Sequence, residues 1–460
     1  MNNVLLKRSK TVKKLNYRIL FCGFTFILFF TLYNEQPVSK FIKIGTTLDL
    51  TRGLKSESTK VLCGLEYVFN KVNKEGGING RKIKLTPMDD EYTPDKAREN
   101  IEILLNKVKT GLIVCPAGTP TLNAYLDLVK EGKVLVLFPI TGTSIFRKPD
   151  LRNLIHLRAS YYDEGYVLTK YVIEKLNAKN IAFFYQNDAS GLDILRGARD
   201  ALKEKGIKDG LEVPYERNDV DFSAAVKKIK GANIDAIGFF STSTAAEALI
   251  RQLGLEEVKR KKLFGISDLS ISDFKDFIKD RQLHFIIAHV VPCPEKRAAN
   301  KKKELAIIKQ FQDDVEKSEG RLLLDCQCLE AYLAASLFVK VLKQIKGDIT
   351  FNKIIKKFEA MKEYNFGGLP LSFDPETRQL LHNLWLDTGK EEWIKVETNK
   401  KVIEEKKQVT PKKKPPKKPK VEAEETPKVE VKEIPSDEGK VSPEDKVSPE
   451  VTIPTTGEFI

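Results

Sequence analysis

The stretch Asn73-Lys-Glu-Gly-Gly-Ile-Asn-Gly-Arg-Lys82 joins two segments of different periodicity. Upstream, from Ser58 to Asn73, Val61, Leu62, Leu65, Val68, Phe69 and Val72 recur at helical spacing. Gly76-Gly77 breaks that helix, and Lys82-Ile-Lys-Leu-Thr-Pro-Met88 reads as a strand. Phe41-Ile-Lys-Ile-Gly-Thr-Thr47 reads as another strand before the helix. Strand, helix, glycine turn and strand follow one another within fifty residues.

The alternation continues downstream. Pro94–Lys107 reads as a helix with Thr93 at its N-cap, Gly111–Pro116 as a short strand, and Thr119-Pro120 as the start of another helix. Val134–Phe138 is a strand again. The pattern then restarts with a strand at Asn180–Tyr185, a helix at Leu192–Lys205, a strand at Leu211–Tyr215 and a helix at Phe222–Lys230. Strands at Ile234–Phe240, Lys262–Gly265 and Phe285–Val291 complete the second run. Short, uninterrupted apolar strands between helices predict parallel sheets covered on both faces. Two runs predict two doubly wound α/β lobes, with ligands beyond the carboxyl ends of the strands.

The chain carries a net charge of +14 and a pI near 9.2, which brings nucleic acid to mind. Its location argues otherwise. Residues 1–18 hold Lys7, Arg8, Lys10, Lys13, Lys14 and Arg18 and no acid, while the tail from Lys400 has 14 lysines against 13 acids. What remains is spread thinly, with no basic stripe interleaved with stacking aromatics, so no nucleic-acid partner is expected. The apolar run Ile19–Tyr33 after the basic start has the order of a secretory signal or signal anchor. No small-residue cleavage site follows, which favours an uncleaved anchor with the positive end in the cytoplasm and attachment to the inner membrane. Phe21 before Cys22 argues against a lipoprotein box. Beyond Thr398 the Lys/Pro/Glu-rich sequence, with its repeat Lys440-Val-Ser-Pro-Glu444 and Lys446-Val-Ser-Pro-Glu450, predicts a disordered tail.

The six cysteines, Cys22, Cys63, Cys115, Cys293, Cys326 and Cys328, form no CxxC pair and have no zinc-type spacing with histidine. They read as buried thiols or an occasional disulfide. His156, His284, His289 and His382 are scattered and belong to no catalytic motif. Asp89-Asp90 ends a strand, but neighbours on an extended chain point to opposite faces. Neither an enzyme nor a metal or cofactor site is expected.

The Asn73–Lys82 motif, followed by a strand and Asp89-Asp90, resembles the type I periplasmic binding proteins of the branched-chain amino acid group. Asp221-Phe222-Ser223 before a helix, Asp235, Ala248-Leu-Ile-Arg-Gln252 and Gly265-Ile-Ser-Asp268 are similar to the same family. So are Phe366-Gly-Gly-Leu-Pro-Leu-Ser-Phe-Asp374 and the later Trp385 and Trp393. The resemblance implies a Venus-flytrap fold with three crossings, near Arg158, Val291 and Gly368. Lobe one then comprises residues 41–157 and 292–366, and lobe two residues 158–291 and 367–397, between the N-terminal segment 1–40 and the tail 398–460. It further implies a periplasmic or extracytoplasmic protein that binds a small molecule and delivers it to an ABC permease, without cofactor or chemistry of its own.

The resemblance also implies where the ligand sits. A ligand carboxylate is expected at two strand-to-helix turns of lobe one. These are Ala117-Gly-Thr-Pro-Thr121, with Gly118 and the hydroxyl of Thr119 or Thr121, and Pro139-Ile-Thr-Gly-Thr-Ser144, with Thr141, Gly142 and Thr143. Each threonine can equally serve as a helix cap. On lobe two Ser190 and Thr242 stand where the family has aromatics, and Asp268 stands where an acid pairs with a ligand ammonium. These departures widen the expected ligand from a branched-chain amino acid to a smaller or more polar one, such as an amide, a urea-like compound or a hydroxylated amino acid. A ligand sensor and a structural envelope protein that keeps the fold are the alternative readings.

Overall fold

The structure is a computed structural model that describes residues 40–292, 294–295 and 304–398. The expected N-terminal anchor or signal segment, the tail beyond Thr398, Cys22 and Cys293 lie outside the described residues. No helix among the described residues is long and apolar enough to cross a membrane.

Two sheets organise the chain. The first has strands β1 (Phe41–Leu48), β2 (Lys82–Asp89), β3 (Leu112–Val114), β4 (Leu135–Leu137) and β5 (Leu154–Ile155), in the order β2-β1-β3-β4-β5. Every pairing in it is parallel; β1 and β2 run in step from Phe41 opposite Lys82 to Leu48 opposite Asp89. The order reverses between β1 and β3, so their carboxyl ends open the crevice of a doubly wound sheet. The second sheet has parallel strands β6 (Ile181–Gln186), β7 (Leu211–Tyr215), β8 (Ala236–Phe240), β9 (Lys262–Gly265) and β10 (Phe285–His289), in the order β7-β6-β8-β9-β10. Every residue of β6 and β8 is buried, as a strand covered on both faces requires.

Strands β11 (Tyr364–Phe366) and β12 (Leu369–Leu371) form a hairpin of their own. Strands β13 (Asn383–Asp387) and β14 (Ile394–Glu397) then extend the second sheet, antiparallel, from β10. The Phe366-Gly-Gly-Leu motif is therefore a hairpin turn, with Gly367 at φ 59° and Gly368 at φ 93°, values that suit glycine in a two-residue connection. Phe366, Leu369 and Leu371 are buried in the same core as the helices over the first sheet. We place the third crossing after Leu381, later in the chain than Gly368. There His156-Leu157 runs beside Arg378–Leu381, joined by His156 N–H to Arg378 O, Leu380 N–H to His156 O and Leu381 N–H to Leu157 O at 2.9–3.0 Å.

The helix Cys326–Lys343 carries no polar stripe, since 15 of its 18 residues are buried, and it forms the centre of the first core. The helix Lys55–Lys74 packs along it. Gly64 makes that approach possible: a Cβ there would lie 2.4 Å from Cys328 O and 2.9 Å from Tyr332 N. The helix predicted over Pro94–Lys107 is regular only to Ile103; residues Leu104–Val108 form a wider π turn that ends at Lys109 with φ 63°. Thr93 does not cap that helix through its side chain, because its hydroxyl donates to Asp90 O.

Candidate ligand-binding cleft

The carboxyl ends of β1 and β3 face those of β6, β8 and β9 across a cleft. The first sheet's side presents Gly118 and Thr119 from the turn after β3, Tyr92 from the turn after β2, and Glu57, Ser58 and Val61 from the start of the Lys55–Lys74 helix. Gly118 has φ 97°, and a side chain there would strike the Tyr92 ring at 2.8 Å. Thr119 and Thr141 share a hydrogen bond of 2.6 Å and are both buried, so the two turns support one another behind the cleft surface.

Lobe two contributes Tyr161, Gln186, Ser190, Tyr215, Phe240, Thr242 and Asp268. Tyr161 starts a helix held by a full capping box, with Ser160 and Asp163 bonding each other's backbone N–H. Its ring packs against Gly142, whose carbonyl accepts the Tyr161 N–H at 2.8 Å and the buried Arg147 Nε at 3.1 Å. Asp268 lies on a short turn after β9, with the Tyr161 hydroxyl 3.4 Å from both its oxygens and Arg158 Nη1 at 3.9 Å.

The cleft is closed. Tyr92 OH accepts from Gln186 Nε2 at 2.9 Å, Glu57 Oε1 accepts from Ser243 N–H at 2.8 Å, and Gln327 Nε2 donates to Ser267 O at 3.3 Å. Ser144 N–H and Oγ both reach Asp193 at the rim, at 2.7 and 2.9 Å. The space left between these walls is small, which suits a ligand of few heavy atoms.

Its electrostatics are set by acids out of water. Burial raises the Glu57 carboxyl to about 8 against the hydrogen bond from Ser243, and its Oε2 has no hydrogen-bond partner. Burial raises Asp268 to about 6, although the nearby Arg158 pulls it down. Glu164, which accepts Ser267 N–H at 2.7 Å, is raised by burial to about 8. At neutral pH Asp268 is thus the charged acid of the cleft, while Glu57 keeps its proton and can donate as well as accept.

Of the residues singled out from sequence, Gly118, Thr119, Ser190, Thr242 and Asp268 line the cleft together. Thr141 lies one layer back, bonded to Thr119. Thr121 turns inward to Ala117 O at 2.6 Å and Gly118 O at 3.0 Å; Thr143 Oγ1 donates to Ala189 O at 3.4 Å. Gly142 serves as the seat of the Tyr161 ring. Thr242 also caps its helix by accepting from Ala245 N–H at 3.3 Å, and Ser190 bonds Asp188. Sequence reasoning missed Glu57, Tyr92, Tyr161 and Tyr215. Ser190 and Thr242 stand where the resemblance has aromatics, and the rings that line this cleft come from other elements; the tyrosine that begins a capped helix at Ser160–Asp163 was the one signal available for Tyr161. Asp89 and Asp90 shape the turn after β2: Asp89 accepts Leu50 N–H at 2.9 Å, and Asp90 accepts Thr47 Oγ1 at 2.8 Å.

A family model described as periplasmic binding protein matches residues 42–391. An amino acid binding protein of Pseudomonas aeruginosa is 26% identical over 193 residues, 41% of this chain and 51% of that protein. The chain thus spans about half the length of that curated relative. Among solved structures, a possible leucine/isoleucine/valine-binding protein from Rhodopirellula baltica superposes with a TM-score of 0.70 at 21% identity, covering 80% of this chain and 99% of its own. A solute-binding protein of an ABC transporter from Rhodopseudomonas palustris, in complex with 3,4-dihydroxybenzoic acid, gives 0.66 at 21% identity over 79% of this chain and 99% of its own. These two structures share the fold.

Proposed function

Since the chain belongs to the periplasmic binding protein family, we propose that it is a non-enzymatic extracytoplasmic solute-binding protein. Its two lobes close on a small amino acid or amide-like compound for delivery to an ABC permease. The observation that carries this reading is the polarity of the closed cleft. A hydroxyl-bearing turn at Gly118-Thr119, with Glu57 on the same wall, shares the cleft with Asp268 on the other, and the rings of Tyr92, Tyr161, Tyr215 and Phe240 line the space with them. A carboxylate suits the turn that opens the helix after β3, and an ammonium suits Asp268. Ring faces of tyrosine stabilise a cation further. An acid with no amino group brings a second negative charge towards Asp268, which has only Arg158 at 3.9 Å and the Tyr161 hydroxyl beside it, so aromatic acids of the dihydroxybenzoate kind fit less well. The basic start and apolar Ile19–Tyr33 run support export and a tether to the inner membrane.

A thermal-shift screen of residues 38–398 against amino acids, amides and small organic acids tests the reading. Ligand that binds only the folded state raises the melting temperature with concentration. A hit among zwitterionic compounds that weakens at least tenfold on Thr119→Ala and on Asp268→Asn is the expected result. A flat response across the panel from well-folded protein, or a hit indifferent to both substitutions, overturns it.

A further inference from the structure

We propose that Cys63 and Cys328 form a disulfide in an oxidising compartment, and that this bond staples together the two helices that build the lobe-one wall of the cleft. Their sulfurs lie 3.3 Å apart, with the Cys328 thiol donating to Cys63. A disulfide needs about 2.05 Å between sulfurs, so the side chains close the remaining distance by small torsional changes. The backbones are already near, because Gly64 beside Cys63 lies against the Cys328 carbonyl. Cys326 does not compete for the same partner. Two residues along a helix turn the side chain through about 200°, which takes Cys326 off the face that Cys328 presents to Cys63.

The pair also has the asymmetry of an attacking and a resolving thiol. Cys63 is half-buried, and Cys328 is fully buried. The hydrogen bond from Cys328 draws the Cys63 thiol below its usual range, with Lys60 adding to the effect, while burial pushes Cys328 well up. With an oxidised dithiol or glutathione disulfide as oxidant, the Cys63 thiolate attacks one donor sulfur and expels one donor thiolate. Cys328 then gives its proton to solvent, attacks the Cys63 sulfur of the mixed disulfide and expels the second thiol. The chain loses two electrons and two protons, and the donor disulfide is reduced to two thiols.

The position gives the bond its consequence. The Lys55–Lys74 helix brings Glu57, Ser58 and Val61 to the cleft, and the Cys326–Lys343 helix brings Gln327. A bond between Cys63 and Cys328 sits within two turns of all four and ties segments far apart in the sequence, which restricts the unfolded chain strongly.

The test uses the full chain treated with oxidised glutathione and mapped without reduction. A linked peptide pair containing Cys63 and Cys328 is expected, with the oxidised form melting at least ~5 °C above the reduced form. Cys63→Ser, chosen because its sulfur is the less buried, should abolish that difference and leave the reduced melting temperature within about 2 °C. Both thiols remaining open to alkylation after oxidation overturns the proposal. So does a Cys63–Cys326 link, a glutathione adduct that never resolves, or a bond that leaves the melting temperature unchanged.

Discussion

Arg158 is the largest fully buried side chain among the described residues, and it sits between β5 of the first sheet and the helix that starts at Tyr161. Burial works against its charge, but Glu330 holds it with two bonds of 2.9 Å, a bidentate pair inside the protein. Removing one partner leaves the other charge stranded. Glu330→Gln should therefore lower the unfolding free energy by roughly 3–5 kcal/mol in urea titration; a loss under about 1 kcal/mol would mean water reaches the guanidinium. Arg158 also limits how far burial raises Asp268, which stays ionised above about pH 6. If Asp268 pairs with a ligand ammonium, affinity should fall about tenfold per pH unit below 6, and Asp268→Asn should flatten that profile in calorimetry. At this scale the sequence was partly legible. Gly118, Thr119 and Asp268 stand in motifs whose order along the chain places them. Glu57 does not: in Lys55-Ser-Glu-Ser58 it reads as an acid on the exposed first turn of a helix, and only the approach of Ser243 from the other lobe buries it.

The helix pair Lys55–Lys74 and Cys326–Lys343 shows how an element can depend on one missing atom. Gly64→Ala gains about 1 kcal/mol of helix propensity, yet its methyl group must displace backbone at 2.4 Å. Overpacking against backbone wins, so a net destabilisation of ~1–3 kcal/mol is expected in denaturant titration. A neutral or stabilising result would show that the helices can part without loss. The strands were legible because runs such as Ile-Ala-Phe-Phe-Tyr at 181–185 are apolar on both faces and bounded by helices. The Cys326–Lys343 helix offered no such pattern, since a helix buried on every side has no amphipathic stripe to read. Gly367-Gly368 was ambiguous for a related reason. A glycine pair marks a turn, but whether the turn closes a hairpin or crosses between lobes is decided by what Phe366 and Leu369 pack against.

For the whole molecule, the acids that lie out of water couple pH to both folding and closure. Glu57 and Glu164 are raised by burial to about 8, and Asp90 to about 7. Near neutral pH the native chain holds protons that the unfolded chain has released, so stability falls as pH rises through these values. The melting temperature of the ligand-free protein should therefore drop between about pH 6.5 and 8.5; a rise would refute the burial of these groups. Below pH 6.5 the trend is opposed by His156, which burial keeps neutral when folded. Glu57 carries the part of this effect that concerns function, because its carboxyl spans the cleft to Ser243 and lies on the opposite wall from Asp268. When Glu57 loses its proton, two like charges face one another in the closed form, which opening relieves by hydrating both. Scattering in solution should then show the ligand-free molecule expanding as pH passes about 8, and Glu57→Gln should stay compact across the same range. A cationic ligand group supplies what the proton supplies in its absence, so saturating ligand should remove the expansion from the wild-type chain.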